Sequence, residues 1–140
     1  MNGIDYLADT NALIYLLSGN ECMKPYVNEK LFVSCISEIE ILSYQGLTPA
    51  DESMIHRFLS SHIIVGLEKD VRERTIALRK KYRLKLPDSM IAATAWNMRL
   101  ALLTADRAFL RIEEIETVLL DPAAHMECEK KHGQTQDAHP

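Results

Sequence analysis

The 140-residue sequence predicts an α/β protein in which βαβ units surround a parallel sheet. Two observations carry that prediction. Short apolar runs alternate with longer stretches whose apolar residues recur at helical spacing, and prolines stand where first helical turns begin. In chain order, strands are expected at 4–8, 31–34, 63–65, 101–104 and 118–120. Helices are expected at 11–17, 36–44, 50–59, 68–82 and 87–98. Pro49 and Pro87 open the third and fifth of these, at the position that tolerates a missing N–H. Pro25 marks a turn or the start of a short helix.

Composition limits the rest. A chain of 15.9 kDa with 47% hydrophobic residues fits one domain, and at this size roughly 68% of the unfolded surface can be buried without disulfide or metal staples. Cys22, Cys35 and Cys128 are too few and too irregularly spaced for a disulfide framework or a zinc ribbon, so a reducing cytoplasm is the expected location. Residues 1–5 show no basic n-region and no apolar run approaches the roughly 18 residues of a membrane span, so neither secretion nor membrane insertion is expected. The net charge is −4, yet residues 69–85 hold eight basic residues against two acidic ones, an excess of six positive charges that leaves −10 elsewhere. Residues 1–122 are expected to form the domain and 123–140 a polar, mobile tail. His125, Cys128 and His132 in that tail could bind a stray metal, but a solvated tail accounts for them as well.

Ligand sites in open parallel sheets lie beyond the carboxyl ends of the strands, so acids just after strands are the candidates. Asp9 follows the first strand and Asp106 the fourth; both also precede helices, where a carboxylate can simply cap free N–H groups. Asp88 sits at the head of the helical stripe formed by Ile91, Ala92 and Ala95, where the plain alternative is a first-turn acid favoured by the helix dipole. After the second strand, Ser37 and Glu40 have the spacing of a capping box, serine capping and glutamate reaching back. Periodicity leans toward Glu40 as the inward acid, beside Ile36, Tyr44 and Leu47, and leaves Glu38 open. Four acids converging on one sheet edge repel one another unless cations join them or some are protonated. Hard, oxygen-seeking Mg²⁺ or Mn²⁺ suits such a set, whereas a zinc hydrolase would want histidines there.

Taken together, Asp9-Thr10-Asn11, the run from Ser34 through Ser37 to Glu40, Leu86-Pro87-Asp88 with Ile91-Ala92-Ala93, and Leu103, Thr104 and Asp106 resemble a PIN-domain ribonuclease. The closest likeness is to VapC-type toxins of toxin–antitoxin pairs, and it covers roughly residues 4–122. The resemblance implies a three-layer α/β/α sandwich with a central, mostly parallel sheet. It also implies an Mg²⁺- or Mn²⁺-dependent endoribonuclease whose products carry 5′-phosphate and 3′-hydroxyl ends. It selects Glu40 over Glu38, making Asp9, Glu40, Asp88 and Asp106 the metal-binding catalytic set. Thr10, Asn11 and Thr104 become residues that orient those acids or a bound water. The implied partners are RNA, an inhibitory antitoxin and a second copy of the chain, with no membrane.

Arg79, Lys80, Lys81, Arg83 and Lys85 lead into Asp88 and are candidates for the RNA backbone, against the ordinary reading of a solvated helix face. Trp96, Phe58, Phe109 and Tyr82 are assigned to the core rather than to base stacking. Apolar residues of the 50–59 helix are candidates for a dimer or antitoxin surface. Two rival functions are a phosphatase or phosphotransferase with Asp9 as nucleophile, and a non-catalytic PIN-like binding module. The first wants a second aspartate two residues later, where this chain has Asn11, or the adjacent acids and late lysine of a receiver domain.

Overall fold

A computed structural model describes residues 4–123. The tail expectation, apart from Ala123, and the stray-metal reading of His125, Cys128 and His132 fall outside the described residues. Five strands, β1 (Tyr6–Ala8), β2 (Phe32–Ser34), β3 (Ile63–Val65), β4 (Ala101–Thr104) and β5 (Glu116–Leu119), form one sheet. Its order is β3-β2-β1-β4-β5, and every pairing is parallel. The helices are α1 (Thr10–Leu17), α2 (Cys35–Leu42), α3 (Pro49–Ser60), α4 (Lys69–Tyr82) and α5 (Leu86–Met98). Short 3₁₀ segments occupy Glu21–Tyr26, which contains Pro25, and Arg107–Arg111.

The sandwich follows from the two-residue period of the strands. Leu7 and Leu102 point to one face, where Val71 and Leu78 of α4 and Ile91, Ala92 and Ala95 of α5 cover them. Their neighbours Ala8 and Leu103 point to the other, against Ala12 and Leu13 of α1, Ile41 of α2, and Ile55 and Leu59 of α3. Each fully buried leucine contributes about 1.5–3 kcal/mol of transfer free energy. Alanines on α5 let that helix approach the sheet closely, which fixes where its first turn and Asp88 stand.

Most predicted elements form within a residue or two, with instructive departures. β1 starts at Tyr6, so Asp5 precedes the strand; its carbonyl accepts the Ala101 N–H at 3.0 Å. β5 spans Glu116–Leu119 rather than 118–120, because an edge strand leaves its first side chain in solvent and needs no apolar residue there. The capping box expected at Ser37 and Glu40 is not made. Ser34 caps α2, its Oγ accepting the Ile36 N–H at 3.1 Å, and Ser37 lies buried inside the helix. A reciprocal box does form at α3, where Thr48 Oγ1 accepts the Asp51 N–H at 3.1 Å and Asp51 Oδ2 accepts the Thr48 N–H at 3.0 Å.

His62 ties the sheet edge together. Its Nδ1 accepts the Leu31 N–H at 3.0 Å, and its ring stands edge-on to Phe58. Burial, and then the charge of Lys30, hold this histidine below its ordinary value. The unfolded chain therefore takes up a proton near pH ~6.5 that the folded one resists, so the stability contributed here is complete above that pH and is lost on acidification. The thermal midpoint should fall as the pH goes from about 7.5 to 5.5. His62→Asn, which keeps an acceptor near the Nδ1 position, should show a flatter profile; an equally steep one would remove His62 as the cause.

Candidate functional site

The strand order makes a switch point. From β1 the chain steps one way to β2 and β3, then returns to place β4 on the opposite side of β1. Crossover connections leave β1 and β4 in opposite directions, which opens a crevice beyond their carboxyl ends. Asp9 and Asp106 emerge there. The Asp9 N–H is held by the Leu103 carbonyl at 3.1 Å, so the backbone leaves β1 in register with β4.

A cavity of about 380 Å³ occupies the crevice, lined by Asp9, Thr10, Asn11, Glu40, Tyr44, Asp88, Ile91, Asp106 and Phe109. All four predicted acids reach it from different elements: the β1–α1 junction, α2, the first turn of α5, and the segment after β4. Asp9 is both cap and lining, since its Oδ1 accepts the Ala12 N–H at 2.8 Å. Asp106 likewise caps the 3₁₀ segment, Oδ1 accepting the Ala108 N–H at 2.9 Å. Capping and site membership are compatible because a carboxylate has a second oxygen to present. Glu40 is placed by a hydroxyl pair. Thr10 Oγ1 donates to Glu40 Oε1 at 2.5 Å and lies 2.9 Å from Ser37 Oγ, which couples α1 to α2.

The fully buried Thr104 works from beneath: its Oγ1 accepts the Asp106 N–H at 3.0 Å, and its hydroxyl bonds the Asp9 carboxylate. Thr10 is bonded to Glu40, and Thr104 to the Asp106 N–H and the Asp9 carboxylate, whereas Asn11 lines the cavity with no hydrogen bond to these acids among the described residues. Glu38 is not among the lining residues. The basic residues gather less than the sequence suggested, for none of the five lines the cavity. Arg79 Nε donates to the Leu84 carbonyl at 3.3 Å, and Lys81 pairs with Glu114 at 3.0 Å. Lys80 and Arg83 are exposed. Lys85, the residue before α5, is the one whose charge acts on Asp88.

Sequence reasoning missed Tyr44 as a lining residue. The available signal was its place one helical turn beyond Glu40, although α2 ends at Leu42 and Tyr44 comes from the following loop.

Electrostatics show the strain of this convergence. Burial pushes the Asp9 carboxyl above the ordinary carboxylate range, and the Asp106 and Asp88 charges push the same way; Thr104 and the Ala12 N–H offset part of it. Asp88 is raised by burial first, then by Asp106 and Glu40, against the pull of Lys85. Among the described residues, no three His, Cys, Asp or Glu side chains are close enough to enclose one ion. The acids form an open cavity rather than a closed cage. Because an ionised Asp88 is disfavoured in the fold, Asp88→Asn should raise the thermal midpoint by about a few degrees at pH 7.5 without divalent cations. That gain should vanish on acidification, where the carboxyl takes up a proton anyway; equal or lower stability at pH 7.5 would contradict an Asp88 charge disfavoured by burial and its acidic neighbours.

No curated protein matches the chain. Among solved structures, a toxin–antitoxin complex from Klebsiella pneumoniae is 34% identical, with a TM-score of 0.72 over 84% of this chain and 98% of that one. DNA-bound VapBC from Salmonella typhimurium is 21% identical, with a TM-score of 0.72 over 82% of this chain and 97% of that one. VapBC2 from Rickettsia felis, bound to a promoter DNA fragment, is 20% identical, with a TM-score of 0.74 over 84% and 100%. The last two show likeness of fold. Residues 6–115 match the PIN domain family, and on that match, together with the four acids at the switch point, the chain belongs to the PIN domain family.

Proposed function

We propose that this chain is the toxin of a toxin–antitoxin pair and a divalent-metal-dependent endoribonuclease. The carrying observation is that Asp9, Glu40, Asp88 and Asp106, from four separate elements, line one cavity at the switch point. The donor set fits Mg²⁺ or Mn²⁺, which take oxygen ligands, keep several waters and need only one or two carboxylates from the protein; an open cavity suits a hydrated ion better than a cage would. When bound, the cation would supply the positive charge that acidifies a water and stabilises the leaving oxygen of a phosphodiester.

The chain's own residues supply the arrangement. Asp9 is fixed by the Ala12 N–H and Thr104, so one face of its carboxylate is presented to the cavity. Thr10 holds Glu40 from the side of α1, and the close packing of α5 brings Asp88 opposite. Lys85 stands where it can draw a phosphate toward Asp88. An aspartyl-phosphate mechanism would want a second acid two residues after Asp9, and Asn11 lines the cavity at that position.

The structural neighbours that carry antitoxins support a cognate antitoxin as partner. An apolar groove of about 460 Å³ between α1, α2 and α3, lined in part by Ile14, Leu17, Ile41, Leu47 and Met54, meets the acidic cavity at Tyr44 and would seat it. Beside RNA and the antitoxin, a second copy of the chain is a proposed partner. No helix among the described residues is long and apolar enough to cross a membrane, and the proposed substrate places the chain in the cytoplasm.

The purified chain should cleave RNA from a panel of structured and unstructured species in Mg²⁺ or Mn²⁺ and not in EDTA, with Asp88→Asn at least roughly 100-fold slower. Equal cleavage by the variant would sink the carboxylate–metal reading. Lys85→Ala should weaken RNA binding and lower the slope of log affinity against log salt by about one contact's worth; an unchanged slope would remove Lys85 from the RNA path.

A further inference from the structure

Tyr44 stands at the rim of the acid-lined cavity with 55% of its surface exposed. It follows Ser43, the C-cap of α2, and precedes the turn at Gly46, whose φ of +84° suits glycine. The cavity's other aromatic, Phe109, is only 3% exposed and packs with Leu102 and Ile112 in the core. Among the described residues, no ring or cation is stacked on Tyr44. It is therefore the cavity aromatic with an open face. The ring also divides two environments: carboxylates on one side, and on the other the apolar ledge of Ile14, Leu17, Leu47 and Met54.

A nucleotide has the same division of polarity. Its phosphate belongs over the acids and their cations, and its base offers a flat π face. Resting on the nuclease reading, we propose that Tyr44 is the platform on which an unpaired nucleobase beside the scissile phosphate stacks. A base inside a duplex is already stacked on both sides, whereas an unpaired base can be splayed onto an aromatic side chain. Because every base has a π face, Tyr44 positions the strand without choosing its sequence; it is a positioning residue, and its exposure makes substitution compatible with folding.

The test compares Tyr44, Tyr44→Trp and Tyr44→Leu, each also combined with Asp88→Asn so that RNA is bound but not cut. The probe is a single-stranded oligoribonucleotide carrying 2-aminopurine. Its fluorescence change on binding should persist with Tyr44→Trp and disappear with Tyr44→Leu, which should also bind about tenfold or more weakly. In cleavage, Tyr44→Leu should raise KM more than it lowers kcat, and the unsubstituted chain should cut a single strand faster than the same sequence in a duplex.

Binding and fluorescence unchanged in Tyr44→Leu, or equal rates on duplex and single strand, overturns the proposal. So does a Tyr44→Leu protein that binds RNA normally and loses only its antitoxin, since the ring then serves the protein partner. If no form cleaves any RNA, the nuclease reading fails separately, and the fluorescence comparison still decides whether a base stacks on Tyr44.

Discussion

Repulsion among the carboxylates at the carboxyl end of the sheet is the constraint around which the rest of the site is arranged. Asp9 is 6% exposed and faces the charges of Asp88 and Asp106. Each acid has a compensating group. Asp9 has the Ala12 N–H and Thr104, Asp106 the Ala108 N–H, Glu40 the Thr10 hydroxyl, and Asp88 the charge of Lys85. These partners come from the elements that carry the acids or from their immediate neighbours. They offset the convergence only in part, since burial first and the neighbouring carboxylates after it still hold Asp9 and Asp88 above the ordinary carboxylate range.

That arrangement depends on topology more than on any one motif. Parallel pairing puts all five strand ends with the same polarity at one edge, and the return from β3 to β4 places Asp106 across from Asp9. Ala8 pairs with Leu103, so the two chains leave the sheet side by side. The alternation of Leu7 and Ala8, and of Leu102 and Leu103, sends alternate side chains into separate cores. Each core anchors different walls of the cavity: α1 and α2 on one side, α5 on the other.

Much of this was legible in the sequence, and the reason differs by residue. Asp9 and Asp106 could be found because a parallel sheet makes the residue after a strand special, and their capping roles did not compete with the site as feared. Asp88 was readable from the small-residue face of α5. Periodicity only leaned toward Glu40 and left Glu38 open, and the capping-box spacing there misled. Ser37 and Glu40 have capping-box spacing, yet the N-cap of α2 stands three residues earlier, at Ser34, so Ser37 is inside the helix and Glu40 turns to Thr10 of another element. A contact across 30 residues leaves no mark on local spacing. The basic run reads as one feature in the sequence, but the fold spends Arg79 on the nearby Leu84 carbonyl and Lys81 on the distant Glu114. Tyr44 was hidden for a related reason: a loop, not a helix face, aims it.

The charge pattern sets an order on how such a site can work. RNA is a polyanion, and a phosphate entering the cavity meets the field of Asp9, Glu40, Asp88 and Asp106 at close range. Lys85 is the basic residue whose charge acts on Asp88, and one ammonium cannot offset four carboxylates. The positive excess of residues 69–85 lies along α4 and the short segment into α5, so on the proposed reading it would draw RNA to the approach rather than into the crevice. On the proposed reading, the acids are neutralised before the phosphate arrives, by protons or by divalent cations. Of these, only cations leave the carboxylates ionised and able to hold a water in place, which is why the same repulsion that burdens the fold selects the chemistry proposed for it.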